Sequence, residues 1–241
     1  PLYFSFSNGK FIYSSEPQAL IKSGLIVPRI SKQKTKELLQ LQFCIGRETI
    51  YKGIFRLRPG ETLIIKKGEV IKSELFNKTN AFKRLLVNNK KINDTLSESI
   101  FLHQRSDVPY GVFFSGGIDS TLVLYLMSKI NTKPINSYSV IFPGEKQKEK
   151  LMKKLCKDLN SKLHCIEFDK NDFWNLIPQT TKAFDDPVID YAILPTFKLA
   201  QEAKKDLKVV LTGEGGDELF AGYGRYRSSL RNFFFKKEPF H

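Results

Sequence analysis

Apolar positions change their rhythm about a third of the way along the chain. Up to residue 76 the apolar runs are short, aromatic or β-branched, and separated by turn residues. Leu2-Tyr3-Phe4-Ser5-Phe6 and Phe11-Ile12-Tyr13-Ser14 flank Ser7-Asn8-Gly9, which predicts a hairpin over residues 2–15. A short helix is expected from Glu16 to Ser23, stopped by Gly24, and a second from a Ser31 cap to about Gln42. After the turn at Pro59-Gly60, Thr62–Ile65 and Val70-Ile71 form a second hairpin through Lys66-Lys67-Gly68-Glu69. This first third reads as β-rich and antiparallel.

The polar stretch Asn77-Lys78-Thr79-Asn80 is the natural linker. Beyond it, helical and extended patterns alternate. A helix over about 81–104, broken near Asn88-Asn89, leads to the apolar strand Gly111–Phe114. A helix from Asp119 to Ile130 carries Leu122, Val123, Leu126, Met127 and Ile130 at helical spacing. Then come strand Ser137–Phe142, a helix over Glu145–Leu159 with Leu151, Met152, Leu155, Cys156 and Leu159 in the same spacing, and strand Leu163–Phe168. Helices around 172–183 and 192–204 precede a last strand, Lys208–Leu211. Strands alternating with helices predict βαβ units and a parallel sheet.

Composition adds limits. The chain has 241 residues, 41% of them hydrophobic, enough for one large domain or two small ones. No apolar run approaches the roughly 18–20 residues that cross a bilayer, and no cleavable leader is evident, so a cytoplasmic protein with no membrane partner is expected. Cys44, Cys156 and Cys165 are odd in number and widely spaced, which suits reduced, mostly core thiols. With 39 Lys+Arg against 25 Asp+Glu, the net charge of +14 favours anionic partners. The basic residues are scattered, however, and a nucleic-acid partner is not expected on this ground. Pro1 in place of Met and the unfinished end at Pro239-Phe240-His241 suggest a piece of a longer protein, whose further residues would cover Phe233–Phe235.

Two loops carry candidate chemistry. Ser115-Gly116-Gly117-Ile118-Asp119-Ser120 lies between an apolar strand and an amphipathic helix. Its glycines let backbone N–H groups approach an anion, and the helix N-terminus adds unpaired donors and a positive dipole end. Ser115 and Ser120 can donate to phosphate oxygens, and Asp119 beside a phosphate makes sense with Mg²⁺ between them. The bland alternative is a serine-capped turn. A GxxxxGK[ST] motif is absent, which excludes a P-loop kinase or GTPase site. The second loop, Thr212-Gly213-Glu214-Gly215-Gly216-Asp217-Glu218, follows the last strand and sets three carboxylates within five residues. A divalent cation or an acid/base duty accounts for such a density; an acidic turn capping the next helix is the alternative. Both loops leave carboxyl ends of strands, the edge where open parallel sheets bind ligands. His103 and His164 read as a solvent-facing helix end and a core or edge strand residue.

Ser115–Ser120 resembles the pyrophosphate loop of the N-type ATP pyrophosphatases. With Asp107–Phe114 before it, Thr212–Glu218 and Leu219–Tyr223 later, and Asp185-Asp186-Pro187 and Ala192–Pro195 between, the chain resembles the glutamine-hydrolysing asparagine synthetases. Pro1-Leu2-Tyr3, Ser14-Ser15-Glu16, Ala19-Leu20 and Leu57-Arg58-Pro59-Gly60 resemble the last part of that family's glutamine amidotransferase domain. The resemblance implies an α/β chain: a β-rich α+β remnant of an N-terminal-nucleophile amidotransferase domain over 1–76, then a parallel-sheet ATP-pyrophosphatase domain over 77–241, truncated at its C-terminus. It implies ATP-dependent amidation of aspartate through β-aspartyl-AMP, releasing AMP and pyrophosphate, with nitrogen from glutamine or ammonia.

By the same resemblance, Ser115, Gly116, Gly117 and Ser120 hold the pyrophosphate, and Asp119 and Asp217 bind Mg²⁺. Glu214 is the general base toward ammonia. Thr212 and Gly213 lie near ribose and base, and Phe113 and Val140 line the adenine pocket, although core packing would equally explain both. The family's glutaminase nucleophile is an N-terminal cysteine. This chain has Pro1, and its first cysteine, Cys44, falls at a helix end and reads as core, so ammonia-dependent synthesis is the most expected of it alone. Three alternatives stay open: a superfamily amidotransferase acting on another carboxylate, an RNA-modifying ligase of the same fold, and an inactive nucleotide-binding remnant. A homodimer of the full-length protein stays open too.

Overall fold

The structure is a computed structural model that describes residues 1–7, 9–76, 88–184, 190 and 192–224. Asn8 of the first turn, the 77–80 linker, the 81–87 part of the expected helix, Asp185–Pro187 and Phe233–Phe235 lie outside the described residues. The described residues group into two compact units, one within 1–86 and 175–194, the other within 87–174 and 195–241.

In the first unit, β1 (Tyr3–Ser7) pairs antiparallel with β2 (Lys10–Ser14), followed by α1 (Pro17–Lys22) and α2 (Lys32–Leu41). Pro17 opens α1, where its missing N–H costs nothing, and the Ser31 side chain accepts from the Lys34 amide to cap α2. β3 (Phe55–Arg56) pairs with the other edge of β1. Tyr3, Leu20 and Ile54 form one small core, and Leu38, Cys44 and Ile50 another. Cys44 is thus a core residue as expected, but it lies beyond α2, which Gln42 ends in the left-handed conformation. The second hairpin, β4 (Glu61–Lys66) and β5 (Glu69–Leu75), turns at Lys67 and Gly68, both at positive φ. Two consecutive positive φ values suit the right-handed twist of the flanking strands, and glycine at the second position adopts its value without a Cβ clash.

The second unit contains α3 (Asn89–His103), β6 (Tyr110–Phe113), α4 (Ile118–Ile130), β7 (Ile135–Ile141), α5 (Lys146–Asp158) and β8 (Ser161–Glu167). Asn88 caps α3 through the Lys91 amide, so a helix begins where the sequence suggested a break. α6 (Lys170–Ala183) and α7 (Ile193–Ala203) follow β8, then β9 (Val209–Leu211) and the single turn of α8 (Gly216–Phe220). All pairings among β8, β7, β6 and β9, in that spatial order, are parallel. Val112, Phe114, Leu124, Met127, Ile135, Met152 and Cys156 fill one core layer, each large apolar side chain contributing about 1.5–3 kcal/mol on burial. The apolar face expected of α4 is partly rotated: Ser120, Leu124, Leu126 and Met127 are buried, whereas Leu122 and Ile130 are exposed. On α5, Met152 and Cys156 are buried but Leu151 is exposed. Cys165, on the edge strand β8, is also exposed rather than core.

On the other side of this sheet, Tyr138 stacks on His164 with ring centroids 4.5 Å apart and donates its hydroxyl to Asp206 Oδ2 at 2.7 Å. Burial, reinforced by Asp206, pushes the Tyr138 phenol up to about 12. The fold favours the neutral phenol, so this contribution to stability is complete below the unfolded value near 10 and is lost as pH rises through 12. Urea unfolding is expected to show stability falling between pH 10 and 12 in the native chain, and a smaller fall in Tyr138→Phe. Equal slopes would rule out this linkage.

Candidate active site

The first loop leaves β6, the second leaves β9, and these two strands are hydrogen-bonded neighbours, with Tyr110 opposite Val209 and Val112 opposite Leu211. On its other side β6 pairs with β7, so the chain order reverses at β6. A crevice at the carboxyl ends of strands beside such a reversal is where open α/β sheets bind ligands.

Within the first loop the two serines brace the turn. Their hydroxyl oxygens are 3.0 Å apart, the Gly117 amide donates to Ser115 Oγ at 3.3 Å, and Ser120 Oγ donates to the Gly117 carbonyl at 3.2 Å. Ser120 is buried, so its hydroxyl serves loop closure in this conformation. Gly116 has φ +77°, and a Cβ there would lie 3.2 Å from Met152 Cγ, so α5 backs the loop. Gly117 caps α4 without any side-chain acceptor. The first-turn amides of a thirteen-residue helix are therefore presented at the loop, a cradle suited to an anion.

The second loop rests directly on this helix start. A Cβ on Gly213 would lie 2.7 Å from the Ser120 amide nitrogen and 2.9 Å from the Asp119 carbonyl carbon. A Cβ on Gly216 would lie 2.6 Å from the Asp119 carboxyl carbon. Residues 213–216 and 119–120 are thus in contact through positions that only glycine leaves open. This loop-to-loop role of Gly216 was not singled out in the sequence, though the Gly-Gly pair was its signal.

The three carboxylates that sequence reading grouped together diverge. Glu214 is exposed and makes no hydrogen bond among the described residues. Asp217 turns its carboxylate toward Gly222, whose N–H donates to the Asp217 carbonyl at 3.1 Å. Glu218 accepts from the Tyr223 hydroxyl at 2.6 Å. Among the described residues no three His, Cys, Asp or Glu side chains converge as a ready metal cage. One or two carboxylates beside an anion cradle nevertheless fit Mg²⁺ in kind, since that ion keeps waters and takes its remaining oxygens from phosphates. Asp119 lies at the loop contact; Asp217 is one residue beyond Gly216.

Thr212 is exposed just past β9. Phe113 and Val140 are half-buried and pack with Ile166 and Val210 against Tyr138, Leu199, Ala203 and Leu207, which is core packing. At the carboxyl end of β8, Lys198 donates to the Glu167 carbonyl at 2.7 Å and pairs with Asp172 at 2.5 Å, holding the Asp172 carboxyl below its ordinary range. Nothing in the local sequence marks this tie, because it joins two helices through tertiary structure. His164 is an edge-strand residue whose Nε2 lies 3.1 Å from Asn136 Oδ1, and His103 is exposed at the end of α3.

A parallel α/β sheet with two glycine-rich loops in contact at its switch point presents uncapped helix-start amides of a kind suited to an anion. The family model described as asparagine synthase matches residues 91–239, and that of a glutamine amidotransferase domain matches residues 1–76. The chain belongs to the asparagine synthase family. It is 31% identical to a putative asparagine synthetase (glutamine-hydrolyzing) 2 of Methanocaldococcus jannaschii, over 99% of this chain and 48% of that protein. It is 30% identical to asparagine synthetase (glutamine-hydrolyzing) 1 of Bacillus subtilis, over 99% of this chain and 38% of that protein. The chain thus spans about half, or less, of the length of these relatives. An NH3-dependent NAD synthetase from Campylobacter jejuni is 22% identical with a TM-score of 0.38, over 57% of this chain and 62% of that one. Among the described residues no helix is long and apolar enough to cross a membrane.

Proposed function

We propose that this chain carries the ATP-dependent amidation site of a cytoplasmic asparagine synthetase. Residues 77–241 would form the synthetase part and 1–76 the end of an amidotransferase domain. The observation that supports this most is the contact of Gly213 with the Asp119-Ser120 backbone, which sets both loops around one anion cradle. In the proposed reaction an aspartate β-carboxylate attacks the α-phosphate of ATP, giving β-aspartyl-AMP and pyrophosphate; ammonia then displaces AMP and yields asparagine. The amides of Gly116 and Gly117 and the hydroxyls of Ser115 and Ser120 hold the departing pyrophosphate, the hydroxyls exchanging their mutual bond for phosphate oxygens. Asp119 and Asp217 would hold Mg²⁺, which supplies positive charge beside the leaving group. Thr212 and Gly213 face the ribose, with Phe113 and Val140 behind the adenine. Glu214, exposed and without an internal partner, takes the proton from ammonia as the C–N bond forms.

Incubated with Mg·ATP, the chain is expected to release AMP and pyrophosphate only when aspartate is present, and to form asparagine when ammonium is added. Release with another carboxylate and not with aspartate would reassign the acceptor, and binding of Mg·ATP without release would overturn the synthetase reading. Asp119→Ala is expected to weaken Mg·ATP binding in calorimetry. Glu214→Gln is expected to leave that binding within about twofold while slowing amide formation by roughly 10²-fold or more; undiminished amide formation would remove Glu214 from the base role.

A further inference from the structure

The serines brace the first loop from within, but Gly116 takes no part in that bracing. Among the described residues it makes no hydrogen bond of its own. Its φ of +77° lies in the left-handed region, which glycine enters and leaves without a Cβ penalty. A cradle of amides holds an anion well only in one preorganised geometry, so Gly116 needs a stop from outside the loop.

That stop is Met152, in the middle of α5. A Cβ at Gly116 would lie 3.2 Å from Met152 Cγ and 3.5 Å from its Sδ, and the other side chains of the core stand farther away. Met152 is 1% exposed and belongs to the core layer of Val112, Phe114, Leu124 and Cys156. Its thioether accepts from Ser139 Oγ at 3.9 Å. Ser139 is itself buried on β7, and its other acceptor among the described residues is the Val140 carbonyl at 3.5 Å. A methionine is unbranched and adapts to irregular gaps, so alone it makes a yielding stop; the hydroxyl of a buried serine favours one rotamer.

The other methionine of the chain is Met127. It is as buried as Met152 and lies in the same core layer. It sits on α4, however, about 15 Å along the axis from Gly117, and comes within 4 Å of neither Gly116 nor Gly117 at their Cβ positions. Two equivalent core residues therefore differ in their contact with the loop.

We propose that Met152, set by Ser139, is a positioning residue of the anion site: it fixes where Gly116, and with it the Gly117 amide, meets a phosphate. This rests on the amidation reading, in which the loop holds pyrophosphate. Truncating Met152 opens a cavity directly behind Gly116, and the loop settles into it, which draws the amides off the anion. Truncating Met127 opens a comparable cavity far from the loop.

The probe is inorganic pyrophosphate with Mg²⁺, titrated into the full chain by calorimetry. Met152→Ala is expected to weaken its binding by roughly fivefold or more, as misplacement of binding groups does, whereas Met152→Leu, which keeps the bulk, should stay within about twofold. Met127→Ala is expected to lose comparable stability in urea unfolding yet to bind within about twofold of the native chain. Ser139→Ala frees the thioether without opening the core and is expected to weaken binding by about threefold; it keeps the proposal testable if Met152→Ala does not fold. Hydrogen exchange at the Gly117 amide, read by NMR without ligand, should quicken in Met152→Ala and not in Met127→Ala. A native chain that binds no pyrophosphate would remove the amidation reading, while Gly117 exchange would still decide whether Met152 sets the loop. The proposal is overturned if Met127→Ala weakens binding as much as Met152→Ala, or if Met152→Ala and Ser139→Ala leave both affinity and Gly117 exchange unchanged.

Discussion

Gly213→Ala is expected to reduce the pyrophosphate-forming turnover proposed for this chain on the order of 100-fold. The added methyl would meet the Ser120 amide nitrogen at 2.7 Å and the Asp119 carbonyl carbon at 2.9 Å. Both belong to the backbone of the first turn of α4, which cannot swing aside as a side-chain tip can. Either the second loop lifts from the helix start or the helix start shifts, and overpacking of this kind costs about 1–3 kcal/mol. A displacement of about 1 Å between groups that must act together suffices for a hundredfold loss of rate. Gly216→Ala is the informative contrast. Its methyl would meet the Asp119 carboxylate, the rotatable end of a side chain, so a smaller loss is expected. Gly224→Ala, with open space around it, should change nothing. Urea unfolding and ATP–pyrophosphate exchange, measured for all three, check this order. Equal losses in Gly213→Ala and Gly224→Ala would show that the loop contact does not matter.

Glu61→Ala is expected to be the most destabilising single change in the first unit, by about 2–4 kcal/mol. The Glu61 side chain is fully inaccessible yet ionic. It accepts from Arg47 Nη2, from the Arg58 amide at 3.0 Å and Nε at 3.3 Å, and from Ser73 Oγ at 3.0 Å. It thereby ties the start of β4 to β5 and to the segments carrying both arginines. Removing it leaves two guanidinium groups that are already partly exposed, 36% and 45%, and able to rehydrate, which keeps the loss below that of a wholly buried pair. Glu61→Gln retains the shape and should cost about half as much. Lys72→Ala, which breaks the exposed pair with Glu74, should stay within about 0.5 kcal/mol. Thermal and urea unfolding distinguish the three.

Local chemistry made much of this protein legible in its sequence. The Ser31 cap, the hairpin turn at Lys67-Gly68, the alternation of strands and helices after residue 110, and the position of each glycine-rich loop at the carboxyl end of a strand all depend on residues within a few positions of one another. Apolar periodicity was less informative where two neighbouring faces of α4 were both apolar. Which of them became core depended on the helix's packing partners, and Leu122 stayed outside.

Strand order was decided by tertiary structure alone. β9 could have been added beside β8; its pairing with β6 is a long-range choice that no window of sequence encodes, and it is what brings residues 213–216 onto 119–120. The same holds for carboxylate direction. Glu214, Asp217 and Glu218 are equivalent as letters, yet only the folded chain gives Glu218 to Tyr223, turns Asp217 toward Gly222 and leaves Glu214 open. The sequence by itself determined which groups could hold an anion and a proton. Backbone contact between distant loops determined that the segments carrying them lie against one another.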